Sequence, residues 1–430
     1  MKNKGNIILI ILGIILSIAL GFGIAYSYLA VRVNGLESKS TIAMDTGTLT
    51  IDYANKSGDI VLNKIAPGAE ATKQFTLTGT NDAKINDKTM LKNMYYQIGI
   101  VVDKNTFTAG SLTYLLTKDS SSSNNGKMAD NVSGYIPNSG TTYIAGGYFD
   151  ENAKNVTHVY NLTLAFPETN TDQSANQGAT FACHITVKGT VNGTLLNQDS
   201  WETIANNVKN NNTSDYIIGS EKIILMNNNL YTLRLANNST PTECSGTDFS
   251  ETACGFVIEF ADIVESRQMN STNTNVGGWP ATAMRTYLND EFYNSLPEDL
   301  RNVIADTKVI SGHGKSDTSN FPSTDKIYLL SGHEIYEDAS PTTSSLSARD
   351  TAYNNTRQLD YYKNKGVTTR SYLETRKKPL GSSSYDWWLR AASSTININF
   401  LSVNANGAWT SATANRSYGV SPAFRIGLKM

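Results

Sequence analysis

Several stretches in the first half of the chain alternate apolar and polar residues without a break, and that period of two leaves little choice of backbone. Leu49, Ile51 and Tyr53 alternate with Thr48, Thr50 and Asp52, and Phe75 and Leu77 alternate with Thr76 and Thr78. Tyr160, Leu162, Leu164 and Phe166 alternate with Asn161, Thr163 and Ala165, and the run from Phe181 to Val187 repeats the pattern. A helix would scatter such residues around its circumference, whereas a strand puts one set on a buried face and the other in water. Tyr96 to Val102 is more uniformly apolar and reads as a more central strand. Turn clusters separate these runs: Ala66-Pro67-Gly68, the Ser120 to Gly126 stretch and Gly146-Gly147. Short strands, polar turns and no helical period predict an all-β sandwich of two sheets over residues 41–191.

Ahead of that region, Ile7 to Val31 is almost wholly apolar, interrupted by Ser17 and Ser27. At 1.5 Å rise per residue, the run covers the ~30 Å hydrocarbon core of a bilayer. Lys2 and Lys4 precede it, so the positive-inside rule makes residues 1–6 a cytoplasmic tail and places everything after Arg32 outside. Tyr26 and Tyr28 stand where interfacial aromatics belong. The run is longer than the ~7–15-residue apolar region of a cleaved signal peptide. Its possible cleavage sites, Ala25-Tyr26-Ser27 and Tyr28-Leu29-Ala30, are imperfect. The expectation is an uncleaved transmembrane helix over 7–31: a single-pass cell-membrane protein with its C-terminal bulk extracellular.

Net charge is −2 and charged residues make up 17% of the chain. Nucleic-acid binding needs a basic footprint, so no nucleic-acid partner is expected. Arg376-Lys377-Lys378 is a local basic run and reads as a solvated loop. Of the three cysteines, Cys244 and Cys254 are close in sequence with Ser and Gly between them, and pair in an oxidising compartment. Cys183 shares a strand face with Phe181, Ile185 and Val187, which predicts a buried thiol.

Beyond the alternating region the pattern changes. Asp199 to Val208 reads as a short amphipathic helix with Trp201, Ile204 and Val208 on one face and an N-cap box from Asp199 and Glu202. It marks 192–215 as a helical connector. Residues 216–430 read as α+β. Ile223 to Met226 and Leu230 to Leu235 form a hairpin across Asn227-Asn228-Asn229, and Met284, Leu288 and Phe292 fall on one helix face. The end of the chain embeds short apolar pieces, Trp387-Trp388-Leu389, Phe400-Leu401, Val403 and Val420, in Asn, Ser, Thr and Gly. These are expected to be brief core strands carrying polar loops, with Arg390 and Arg425 paired to carboxylates inside.

Two resemblances sharpen this reading. Thr46-Gly47-Thr48-Leu49-Thr50-Ile51, Ile65-Ala66-Pro67-Gly68, Phe166-Pro167-Glu168-Thr169 and Gln177-Gly178-Ala179-Thr180-Phe181 follow an apolar segment. This order, over roughly 7–190, resembles the exported β-sandwich proteins of Gram-positive bacteria typified by camelysin and TasA. The resemblance implies a surface or matrix role. Gly278-Trp279, Met284 to Asn289, Phe292 to Pro297, Lys326 to Ser331, Trp387 to Arg390 and Pro422 to Ile426 resemble an uncharacterised bacterial domain family over about 218–430. That family looks like a branch of the C-type-lectin-like fold, which includes formylglycine-generating enzymes. The resemblance implies a domain that presents loops for binding.

Enzyme chemistry finds no support in spacing. No cysteine follows Cys254, no His-Glu-x-x-His occurs, and no Gly-x-Ser-x-Gly elbow is present among four histidines. Gly314-Lys315-Ser316 matches only the tail of a phosphate loop. His313, Asp317, Asp325, His333, Glu334 and Asp338 have no ligand spacing, and His158 and His184 are expected to face solvent. No metal and no cofactor is expected. The candidate ligand-binding residues are Asn404, Asn406, Trp409, Asn415, Arg416 and Tyr418, whose amide, aromatic and guanidinium groups suit sugar hydroxyls or a protein backbone. The expectation is a membrane-anchored, non-catalytic recognition or adhesion head for an extracellular glycan or protein. The alternative is a structural matrix or fibre subunit.

Overall fold

The computed structural model describes residues 31–33, 40–44, 47–53, 60–62, 66–81, 84–85, 88–89, 93–190, 195–371 and 373–427. The chain divides into two compact units at Val191/Asn192. Among the described residues no helix is long and apolar enough to cross a membrane. Of the anchor expected over 7–31, only Val31 is described. It belongs to a strand, opposite Phe181 on one side and Leu62 on the other, so the expected span is one residue too long. Residues 7–30 lie outside the described residues.

The first unit is two antiparallel-rich sheets facing one core. One is ordered Gly140–Phe149, Met94–Asn105, Phe181–Thr190, Val31–Val33, Ile60–Leu62; the other Val132–Tyr135, Thr113–Lys118, Val156–Phe166, Ala69–Thr80, Gly47–Tyr53, Ser40–Met44. Period-two alternation becomes burial directly: Ala71, Lys73, Phe75 and Leu77 point inward, and Gln74, Thr76 and Thr78 point outward. Met94–Asn105 is central, with Tyr96 to Ile100 running almost continuously buried. Cys183 is buried with Phe181, Ile185 and Val187, and burial pushes its thiol up to about 12.

His158 does not face solvent. Its parity matches Tyr160 and Leu162, which turns it into the core, fully buried. There its Nδ1 lies 2.7 Å from the Tyr96 hydroxyl and its Nε2 lies 2.7 Å from the Asn125 carbonyl oxygen. The ring stacks on Phe149 at 4.0 Å. The neighbouring turn needs Gly126 at φ 78°, since a Cβ there would sit 2.0 Å from the Tyr148 carbonyl oxygen. His184, by contrast, is half-buried, with Nδ1 3.0 Å from Asp103.

The second unit is α+β. One five-stranded sheet is ordered Glu221–Met226, Asn229–Asn237, Val257–Phe260, Pro422–Arg425, Tyr328–Leu329; the other Glu265–Gln268, Ser417–Val420, Trp387–Ala392, Asn399–Val403, Trp409–Thr413. The predicted hairpin turns on Asn227 and Asn228, both at positive φ, the requirement of a two-residue type I′ turn. The chain crosses between the sheets at Ser421, fully buried, whose hydroxyl donates to the Phe260 carbonyl. The segment expected as a connector contributes Leu196, Trp201 and Ile204 to this unit's core. Its helix, Trp201–Lys209, is capped by Ser200, whose hydroxyl accepts from Thr203 N–H, rather than by Asp199. The Asp199 carboxylate is engaged by the Tyr216 hydroxyl instead. Met284, Leu288 and Phe292 are buried along a helical stretch that widens into a π-turn at Leu288–Phe292. Cys244 and Cys254 form a disulfide.

Candidate functional site

The strands Asn399–Val403 and Trp409–Thr413 form a hairpin whose turn carries Asn404 and Asn406. Asn404 is there because its short side chain can close a turn on its own backbone. Its Oδ1 accepts from Asn406 N–H at 3.0 Å and Ala408 N–H at 3.1 Å, and its N–H donates to the Ala408 carbonyl at 2.8 Å. Two outside groups hold the turn. Asp386 accepts from Ala405 N–H at 2.7 Å, and the Tyr336 hydroxyl donates to the Gly407 carbonyl at 3.0 Å. Asn406 is left exposed and Trp409 half-buried.

Asp386 also reaches Tyr418. Burial, then the charge and hydrogen bond of Asp386, push the Tyr418 phenol up, while Arg416 acts against them. The Tyr418 ring packs on Trp388 at 4.9 Å. Asp386 therefore joins the Asn404 turn to Tyr418, which Arg416 also contacts. The Asn415 backbone bonds elsewhere, its N–H donating to Asn273 Oδ1 at 3.3 Å and its carbonyl accepting from Gln268 Nε2 at 2.6 Å, while its side-chain Oδ1 accepts from the hydroxyl of Thr413, the end of the hairpin, at 3.2 Å. Asn404, Asn406, Trp409 and Asn415 are thus tied to one hairpin, Tyr418 joins it through Asp386, and Arg416 reaches Tyr418. Asp386, which links them, carried no signal beyond its position before Trp387.

Beneath these loops lie charges that are paired inside. Arg390 and Glu334, both fully buried, form two parallel bonds of 2.6 Å. Glu334 further accepts from Ser331 N–H, Thr356 and Thr252. Burial alone would raise this carboxyl; Arg390 together with the Thr252 and Ser331 bonds outweighs burial and holds it low. Glu259 accepts from Arg234 at 2.9 Å, Lys378 at 2.7 Å and Tyr362 at 2.8 Å. Burial works against it too, but Lys378 and Arg234 bring it down to about 2. Arg425 pairs with Glu251 at 2.7 Å, and Trp387, Trp388, Leu389 and Phe424 are core.

The basic run Arg376-Lys377-Lys378 is not a solvated loop. Lys378 Nζ is buried between Glu259, the Phe260 carbonyl and Ser421, and Arg376 is fully buried beside Tyr336. Only the middle residue turns outward, toward Glu374. Arg376 closes the short helix Leu373–Arg376, and Lys378 precedes the short strand Pro379–Leu380.

The scattered acids and histidines do not form a metal centre: no group of three or more His, Cys, Asp or Glu that could hold an ion occurs among the described residues. Asp325 is held by Trp279 Nε1 at 2.7 Å and Arg285 Nε at 2.6 Å. Asp317 accepts from Gly277 N–H, and Asp338 from Ser347. His313 Nδ1 faces the Gly314 carbonyl, and His333 stacks on Tyr353 with Nδ1 against that residue's carbonyl.

Residues 256–428 match a family model described as a domain of unknown function, DUF6273. The matched segment contains the hairpin turn, Asp386 and all six candidates. Its first strand, Val257–Phe260, pairs on one side with Asn229–Asn237, which lies ahead of the match. The DUF6273 segment is thus completed in the fold by the hairpin Glu221–Asn237 and by the helix Trp201–Lys209. No curated protein matches the chain.

Proposed function

We propose that the chain is an exported, membrane-anchored surface protein whose second unit is a non-catalytic recognition head for an extracellular glycan or protein. The observation that carries this reading is the Asn404–Ala408 turn. It is braced by Asp386 and Tyr336, yet offers exposed Asn406 beside half-buried Trp409 and Tyr418. A fixed turn with an aromatic flank loses little conformational freedom on binding. Buried Glu259 and Glu334 are spent on internal pairs with Lys378, Arg234 and Arg390, which suits a scaffold. The Cys244–Cys254 disulfide supports an oxidising compartment outside the cytoplasm. The apolar run Ile7 to Ala30 supports the anchor. Short strands with long loops in the second unit are compatible with a C-type-lectin-like head.

The test is to probe glycan and extracellular-protein arrays with the full chain and with a Trp409→Ala, Arg416→Ala double variant. Specific binding lost in the variant is the expected result. A folded protein with no specific binding on either array overturns the reading in favour of a matrix or fibre subunit.

A further inference from the structure

Buried cations in proteins are paired, because an isolated charge in a low-dielectric interior is costly. Among the described residues of the second unit, three Lys or Arg side chains are buried to this degree: Arg376, Lys378 and Arg390. Lys378 ends on Glu259 and Arg390 on Glu334. Arg376 meets no carboxylate. Its Nη1 donates to the Thr368 carbonyl at 2.6 Å, and its guanidinium lies 4.7 Å from the centre of the Tyr336 ring. Nε and Nη2 have no partner.

Those two atoms share one edge of the guanidinium, the edge that grips an oxyanion side-on. The same chain shows the geometry: Arg234 uses Nε and Nη2 together on Glu259, at 3.0 and 2.9 Å. The free edge of Arg376 also has a definite neighbourhood. Tyr336, which stacks on it, is the residue that holds Gly407 in the hairpin turn. Trp387 Nε1 donates to the Arg376 carbonyl at 3.3 Å. Trp387 lies opposite Val403, and Val403 opposite Trp409, so the three side chains share one sheet face that ends at Trp409. Trp387 and Val403 are fully buried, so the aromatic surface this face offers a ligand is half-buried Trp409 at its end. Aromatic faces suit sugar rings, and a carboxylate on the ring would supply the charge that Arg376 lacks.

We propose that Arg376 anchors an oxyanion-binding site beneath the Asn404–Ala408 turn, and that its ligand is the carboxylate of an acidic sugar. This rests on the recognition reading above and narrows its ligand class. The free edge is sealed in this conformation, so a ligand enters by local opening of the neighbouring chain. Stabilisation on binding is then the direct readout.

The test is a thermal-unfolding titration of the full chain, followed by tryptophan fluorescence. The probes are glucuronate, glucose and inorganic phosphate, with sodium chloride holding ionic strength constant. Glucuronate is expected to raise the midpoint in wild type and glucose to leave it unchanged. Arg376→Met, which removes an unpaired buried cation, is expected to keep or raise the midpoint without ligand and to lose the glucuronate response. Arg376→Lys keeps the charge but not the fork, and is expected to bind roughly tenfold more weakly or worse. No glucuronate shift in wild type, or an equal shift in Arg376→Met, overturns the site. A shift with phosphate alone overturns the sugar carboxylate. An Arg376→Met protein that is less stable without ligand, from a wild type that ignores glucuronate, makes the residue structural. Free glucuronate reads the site directly, so a silent array with a positive titration separates failure of the array reading from failure of this one.

Discussion

The polar centres described in the two units are built differently. In the first, the buried polar centre described around His158 is a neutral relay: Tyr160 and Tyr96 hydroxyls 2.7 Å apart, then His158, then the Asn125 carbonyl. In the second, buried carboxylates meet buried or half-buried cations at Glu259, Asp325 and Glu334. The difference follows from the backbone. The first unit has strands up to twelve residues long, whose ladders satisfy their own N–H and C=O groups. The second has short strands joined by long irregular segments, and charged side chains tie those segments together. Glu334 alone holds groups from residues 252, 331, 356 and 390. Ion pairs here act as cross-links between loops. The chain also carries its own probe of the contrast, since all five tryptophans lie in the second unit.

The strongest way to break the comparison is to remove one end of a cross-link. Glu334→Gln leaves Arg390 buried and unpaired. It is expected to destabilise the second unit by about 3–5 kcal/mol. Denaturant unfolding followed by tryptophan emission checks this, with amide hydrogen exchange in Val156–Phe166 expected to stay unchanged. The double variant Glu334→Leu, Arg390→Met is expected to recover much of the loss. If the single variant costs nothing, the loops are held by packing alone.

A smaller effect sharpens the contrast. Asp350 is fully buried beside this pair, its Oδ1 accepts from Ala352 N–H at 3.0 Å, and its Oδ2 has no partner. A Cβ on Gly312 would lie 2.4 Å from that Oδ1, so the chain packs close on the carboxyl. Burial pushes Asp350 up to about 6 despite the Ala352 bond and Arg390. A carboxyl raised on folding contributes its full stability below the unfolded value near 3.8, and loses it as pH rises through about 6. Asp350→Asn is therefore expected to stabilise the second unit above pH 6, by at most about 3 kcal/mol. The gain should vanish near pH 4. Unfolding midpoints of both proteins from pH 4 to 8 test it, and a gain that does not change with pH would refute the assignment.

How much of this was legible in the sequence follows the same division. Where backbone period decides orientation, residue types sufficed: Cys183, Phe181 and Tyr160 lie on the faces that alternation assigns them. His158 was misjudged because its polarity outweighed its parity, although the parity pointed inward. In the second unit, Trp387, Trp388 and Phe424 were readable as core, and so were the internal pairs of Arg390 and Arg425. Arg376 and Lys378 were not, because a basic run looks solvated until Glu259, over a hundred residues away, is brought beside it. The link through Asp386 was hidden for the same reason: it depends on which turn the fold delivers to that carboxylate. Local period is written in neighbouring residues. Loop cross-links are written in pairs far apart, and one sequence does not show which pairs meet.

The smallest expected effect lies in the first unit and has the opposite sign in pH. His158 Nε2 faces a carbonyl oxygen, so it carries the proton, and Nδ1 accepts from the Tyr96 hydroxyl. Tyr96 in turn accepts from Tyr160. Protonating Nδ1 would reverse this relay beside the stacked Phe149 ring. Burial accordingly lowers the imidazole below its ordinary 6.5, against the Asn125 bond and Asp150. The unfolded chain then takes up the proton first. Stability of the first unit is complete above pH 6.5 and falls as pH drops below it, the reverse of the Asp350 behaviour. Hydrogen exchange in Val156–Phe166 should speed up between pH 7 and 5 after correction for intrinsic rates, while tryptophan emission from the second unit stays native. His158→Gln is expected to cost about 1–3 kcal/mol at pH 7, since it disturbs a buried bonded chain. It should also flatten the dependence below 6.5. If the variant keeps the wild-type pH slope, His158 is not the group being titrated. The neutral relay would then not be what separates this unit from its charge-linked neighbour.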